Sequence, residues 1–190
     1  NHSAYKGQIV HHQSIHHRDA HFGDLEKPLD PILQKAPETL QQFPLYSHQT
    51  EAIDYLFSGE NVVVATPAAS GKTLCYNLAV ISSLLEQKNS RALYLFPTKA
   101  LAQDQLRNLD ELTTAAKMKV KKSTFDGDTP HEERAEIRRS ARIIFSNPDM
   151  LQLSILPNHR SWISFLSQLK YVVIDEAHAY RGVFGSHVSN

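Results

Sequence analysis

The residue types with most chemistry to offer stand in two short runs, Gly71-Lys72-Thr73 and Asp175-Glu176. A lysine that follows glycine at a helix start can reach phosphate oxygens, and the threonine beside it can give its hydroxyl to Mg²⁺. The carboxylates are the complement: Asp175 as a metal ligand, directly or through water, and Glu176 as the group that orients or deprotonates an attacking water. Each run also has a plain structural reading, a strand-turn-helix corner for the first and a capping acidic pair for the second. The first departs from the pattern G-x-x-x-x-G-K-[ST], because Thr66 stands where the leading glycine belongs and Ala69 where many such loops carry another.

The flanking elements must place these groups. Val62, Val63 and Val64 predict a strand over 62–66, followed by a turn-prone loop and a helix that opens near Gly71. The unpaired N–H groups of that first helical turn, with the helix dipole, favour an anion. Apolar runs predict further strands over 91–96, 120–125, 141–146 and 170–175. Between them lie helical patterns: Ala52, Ile53, Leu56 and Phe57, with Ser47 as cap and Gly59 as stop, then 98–116 with Thr98 as cap, then His131 to Arg139, then two segments reaching Leu169. Strands apolar on both faces and alternating with helices predict an α/β fold, a mainly parallel sheet covered on two sides. In such sheets ligands gather at the carboxyl ends of strands, which puts Lys72 and Asp175 on one edge.

Composition sets bounds. The 190 residues are 41% hydrophobic and 21% charged, as in an ordinary globular protein. Lys plus Arg and Asp plus Glu both number 20, so net charge argues neither for nor against nucleic acid. A single cysteine, Cys75, excludes an internal disulfide and a multi-cysteine zinc site, and fits a reducing compartment. No apolar run approaches the roughly 18 residues of a membrane span, and a cytoplasmic location is expected. Residues 1–37 hold six of the eleven histidines and read as an extended arm, since Pro28, Pro31 and Pro37 break them up and no carboxylate or cysteine framework accompanies the histidines. Order is expected from Glu38, with Pro37 in a first helical turn, and one domain from 38 to 190. Arg134, Arg138, Arg139 and Arg142 read as a solvated helix face. No terminating element follows His178, as expected of part of a longer chain.

From about Leu45 onward the residues resemble, in collinear order, the first RecA-like domain of superfamily two DEAD/DEAH helicases. ATPAASGKT looks like motif I, where Ala65 commonly stands near the start of the loop, and YSHQ looks like the Q motif. PTKALAQDQ, DGDT and SNPDML resemble the three motifs that line nucleic acid, and DEAH is motif II. The resemblance implies ATP and Mg²⁺, with nucleotide held by Tyr46, Gln49, Thr66, Ala69, Ser70, Gly71, Lys72 and Thr73. It implies metal ligation by Thr73 and Asp175, catalysis by Lys72, Asp175 and Glu176, and coupling of the γ-phosphate site to a second RecA-like domain through His178. Pro97, Thr98, Lys99, Gly127, Asp128, Thr129, Asn147, Pro148 and Asp149 would line a nucleic-acid track.

Within the superfamily, ASGKTLCYNL, NPDML and YRGVFGSHV are most similar to a DNA-repair group that includes a bacterial mitomycin repair factor and fungal RecQ-like relatives, with Ala68 and Ala69 as departures. That group implies an ATP-driven 3′-to-5′ single-strand DNA translocase with a second RecA-like domain and a cysteine-rich zinc region outside these residues. An RNA-directed helicase, and a nucleotide-gated binding module without turnover, are the alternatives.

Overall fold

The computed structural model describes residues 11, 19–67 and 70–180. Strands β1 (Arg91–Leu95), β2 (Lys122–Thr124), β3 (Ile143–Ser146) and β4 (Leu169–Ile174) form one parallel sheet in the order β2-β3-β1-β4. Helices α1 (Pro31–Thr39), α2 (Ser47–Phe57), α3 (Lys72–Glu86), α4 (Lys99–Ala115), α5 (His131–Ser140), the short α6 (Pro148–Met150) with a π-helical run over Leu151–Ile155, α7 (His159–Leu166) and a 3-10 turn over Ala177–Ala179 complete the described elements. The two central strands are apolar on both faces, as read from the sequence. Ala92, Tyr94, Ile143 and Phe145 pack with α1, α3 and α4, whereas Leu93, Leu95 and Ile144 pack with Phe125, Ile155, Trp162 and Phe165. Burying each of the Leu, Ile and Phe side chains contributes about 1.5–3 kcal/mol, which makes β1 and β3 the anchor of the sheet.

Five expectations need correction. The strand expected over 62–66 carries no sheet ladder, and Val63 is 93% exposed. No described strand lies hydrogen-bonded beside it, and β-branched propensity without a partner leaves backbone N–H and C=O groups unpaired. A cavity of about 140 Å³ lies among Val62, Val64, Tyr76 and the β4 residues Tyr171 to Ile174. Consistent with that, β4 is an edge strand whose Val172 and Ile174 are 52% and 45% exposed, so it is not apolar-buried on both faces.

Order does not begin at Glu38. Asp30 accepts a hydrogen bond from the Ile32 N–H at 2.8 Å and Pro31 occupies the first helical turn, so α1 starts there and Pro37 falls inside it. Leu29, Leu33 and Ala36 of this stretch are buried in the core. Tyr46, not Ser47, is the N-cap of α2. Finally, the arginines are largely structural. Arg134 donates to the carbonyls of Thr129 and Asp126 and lies over Phe125, Arg138 lies over Trp162, and Arg142 donates to the carbonyls of Leu84, Gln87 and Ser90. Only Arg139 matches the solvated reading, paired with Glu136 at the surface.

Candidate nucleotide and nucleic-acid site

The loop before α3 is tied down from both ends. Gly71 caps α3 at φ +77°, a left-handed conformation costly for other residues, and a Cβ there would stand 2.4 Å from Gln49 Nε2. Lys72 folds back over the loop, its Nζ donating to the Thr66 carbonyl at 2.8 Å and the Pro67 carbonyl at 3.2 Å. The hydroxyls of Thr66 and Ser70 meet at 2.5 Å. From α2, the His48 ring Nε2 lies 3.0 Å from the Ser70 carbonyl and Gln49 Nε2 donates to the Gly71 carbonyl at 3.0 Å. Ala69 lies outside the described residues.

Gln49 is almost fully buried, and its Oε1 accepts from the Tyr46 N–H at 2.8 Å. Its amide thus joins the start of α2 to the start of α3 and keeps one N–H for a ligand. A cavity of about 350 Å³ opens beside it, between α2, α3 and α4, lined in part by Tyr46, Gln49, Thr73, Asn77, Asn108 and Glu111. The Tyr46 ring stacks with Phe22 on one side, centroids 5.3 Å apart, and with His48 at 5.7 Å.

Asp175 leaves the end of β4, where its N–H donates to the Leu95 carbonyl. Its carboxylate accepts from the Tyr76 hydroxyl at 2.9 Å and from the Glu176 N–H at 2.8 Å. The Tyr76 bond joins the two chemistry-bearing runs, since Tyr76 lies on α3, three residues after Thr73. Burial, then the charge of Asp175, pushes the Tyr76 hydroxyl far up, so it stays a donor. Glu176 adopts φ +50° at a turn, and its Oε2 lies 3.1 Å from His178 Nδ1, with both side chains open to solvent. Burial pushes the Cys75 thiol up to about 11, so it is no nucleophile at neutral pH.

Thr73 at the start of α3 and Asp175, tied to that helix by Tyr76, carry hard oxygen donors, and among the described residues no cluster of three or more His, Cys, Asp or Glu side chains offers a complete metal cage. That donor set fits Mg²⁺, which usually keeps several waters and binds through one or two carboxylates plus phosphate oxygens.

The second group of candidates lies past the ends of β1, β2 and β3, which are neighbours in the sheet. Thr98 caps α4 as expected, its Oγ1 accepting from the Leu101 N–H at 3.2 Å. Lys99 and Asp128 form an exposed ion pair, and that contact holds the Lys99 ammonium above the ordinary lysine range. The turn Asp126 to Thr129 is interlocked, with the Asp126 N–H donating to Thr129 Oγ1 at 2.9 Å and the Asp128 N–H to Asp126 Oδ1 at 2.8 Å. Gly127 has no side-chain atom between this turn and Lys99, whose Nζ lies 3.9 Å from where a Cβ would be. Asn147 caps α6 by accepting from the Met150 N–H at 2.8 Å, with Pro148 and Asp149 following in that turn. Pro97 precedes the Thr98 cap on the same edge.

Sequence reasoning passed over Phe22, His48, Tyr76, Asn77, Asn108 and Glu111. Of these, only Tyr76 carried a usable signal: it stands three positions after Thr73 and so shares its helix face.

A family model described as DEAD/DEAH box helicase matches residues 46–190. The chain is 46% identical over 182 residues to the "Uncharacterized ATP-dependent helicase YprA" of Bacillus subtilis, covering 96% of this chain and 24% of that protein. It is 47% identical over 195 residues to the ATP-dependent helicase HRQ1 of Saccharomyces cerevisiae, covering 97% of this chain and 17% of that one. Among solved structures, the DUF1998 helicase MrfA bound to DNA and AMPPNP superposes with a TM-score of 0.86 at 47% identity, over 90% of this chain and 24% of that one. The chain thus spans about a quarter or less of these relatives. With the parallel sheet, the P-loop at the start of α3 and the DEAH run at the end of β4, the chain belongs to the DEAD/DEAH box helicase family.

Proposed function

We propose that this chain is the ATP-binding and hydrolysing motor domain of a DNA helicase or 3′-to-5′ single-strand DNA translocase that works in DNA repair. The observation that carries the reading is the meeting of the α3 start with Asp175, joined by the 2.9 Å bond from Tyr76. Phosphate oxygens would replace the Thr66 and Pro67 carbonyls as acceptors for Lys72, and the N–H groups at the start of α3 would add to them. Thr73 and Asp175 would hold Mg²⁺, which when bound supplies charge compensation across the phosphates. Glu176 would orient the attacking water and accept its proton. The contact from His178 to Glu176 gives that carboxylate a partner through which a second RecA-like domain could sense it. Tyr46 and Gln49, beside the cavity between α2, α3 and α4, would hold the base.

Thr98, Lys99, the Gly127 to Thr129 turn and the Asn147 cap form the proposed DNA track. Breaking the Lys99–Asp128 pair would free the lysine for phosphate. DNA is favoured over RNA because a 47%-identical structure is of a helicase bound to DNA. The domain reaches back to at least Leu29 in this reading, so the arm proposed for residues 1–37 is shorter than its expected boundary. No described helix is long and apolar enough to cross a membrane, and a cytoplasmic setting fits the lone buried thiol.

Replacing Lys72 with Ala tests the assignment. ATP affinity, measured calorimetrically, should fall by roughly 10- to 100-fold, the weight of one or two charge-assisted hydrogen bonds. Unchanged affinity would overturn the nucleotide reading. Competition between single-stranded DNA and RNA of one sequence should favour DNA, and preference for RNA would overturn that part.

A further inference from the structure

Tyr76 belongs to none of the phosphate, base or nucleic-acid contacts just described, yet its hydroxyl is bonded to Asp175. Its ring is held edge-on against Tyr94, centroids 5.6 Å apart at 79°. Tyr94 is in turn buried in the sheet and donates to Asn77 Oδ1 at 3.0 Å, so β1 and α3 together fix where the Tyr76 ring can lie. From that place the hydroxyl reaches Asp175 Oδ2 at 2.9 Å. The other carboxylate oxygen takes its bond from the adjacent Glu176 N–H, 2.8 Å away in the same turn. A carboxylate held only by its own turn moves with that turn. One held also from α3 is registered against the helix that carries Thr73.

We infer that Tyr76 is a positioning residue for the metal-bound nucleotide: its hydroxyl sets the Asp175 carboxylate opposite the Thr73 hydroxyl, so that the two protein oxygens for Mg²⁺ are aligned before nucleotide arrives. The inference rests on the nucleotide reading proposed above. A hydrogen-bonded partner of a metal-ligating carboxylate orients it, and losing such a partner typically costs 10- to 100-fold in metal affinity.

Tyr76→Phe removes the hydroxyl and keeps the ring against Tyr94. ADP binding to the intact protein is measured by calorimetry at a series of fixed Mg²⁺ concentrations, and Mn²⁺ binding in the presence of ADP by electron paramagnetic resonance. The variant should need roughly 10-fold more Mg²⁺ to reach half of the metal-induced gain in ADP affinity, and should bind Mn²⁺ correspondingly more weakly. Its ADP affinity without metal should equal that of the parent. An unchanged Mg²⁺ requirement would overturn the inference, as would an equal loss of ADP affinity with and without metal, which would mark Tyr76 as a support for the loop alone. A parent protein that binds ADP but ignores Mg²⁺ would remove the metal assignment and this inference, leaving the Lys72 reading intact. A parent that binds no ADP would remove both.

Discussion

The two halves of the site follow the carboxyl ends of different strands of one parallel sheet and are secured differently. The proposed DNA side follows β1, β2 and β3, whose central pair is buried on both faces, and its turns are closed by caps from Thr98, Thr129 and Asn147. The nucleotide side rests on the exposed edge strand β4 and on residues 61–67, which lack a ladder. There the polar groups pair within the loop or with α2: Lys72 with Thr66 and Pro67, Thr66 with Ser70, Gln49 of α2 with Gly71. A track that must grip repeating phosphates is held rigid by its scaffold. A pocket that must fill and empty keeps exchangeable bonds that a ligand can take over.

The largest way to break this contrast is at Gly71. Gly71→Ala forces a side chain into a left-handed conformation and against Gln49, so chemical denaturation should show a loss of about 1–3 kcal/mol together with weakened ATP binding. Near-parent stability would show that the loop is looser than its bonds indicate. Next come the caps. Thr98→Ala and Asn147→Ala should each cost about 1 kcal/mol and weaken DNA binding, while ADP affinity stays at the parent value. A matching loss of ADP affinity would mean the two halves are one mechanical unit.

Lys99→Ala sharpens the comparison from the other side. The pair with Asp128 is exposed and screened by solvent, so stability should stay close to that of the parent. DNA affinity should nevertheless drop similarly across sequences, with a salt dependence shallower by about one phosphate contact. The smallest effect lies at Glu136 on α5, whose carboxyl is held at about 2 by Lys121 and then by Arg139. Its folded value lies below the ordinary one, so its stabilising contribution is complete above about pH 4.5 and is lost as pH falls toward 2. Glu136→Gln should flatten the stability profile in that acid window and lower stability slightly at every pH above it, neutral pH included.

Much of this architecture was legible where the signal is local. The apolar runs that became β1 and β3, the Thr98 cap and the charged helix α5 need only neighbours in sequence to be read. What could not be read depends on partners distant along the chain. Val62 to Val64 have the composition of a strand, but ladder formation depends on what lies beside them. Arg134, Arg138 and Arg142 look solvated until Phe125, Trp162 and the carbonyls after α3 are brought to them. The onset of α1 was readable from Asp30-Pro31, yet three nearby prolines made the whole stretch look broken. At the site, Lys72, Thr73, Asp175 and Glu176 were identifiable by type and spacing, whereas Tyr76 became visible only once its hydroxyl was seen on Asp175.

The claim that this is a turning-over motor and not a nucleotide-gated clamp is tested most directly by single-turnover ATP hydrolysis in the intact protein carrying Glu176→Gln, with single-stranded DNA present. Loss of the base should leave ATP affinity at the parent value and slow hydrolysis by roughly 10²- to 10⁴-fold. Hydrolysis at the parent rate would contradict the account.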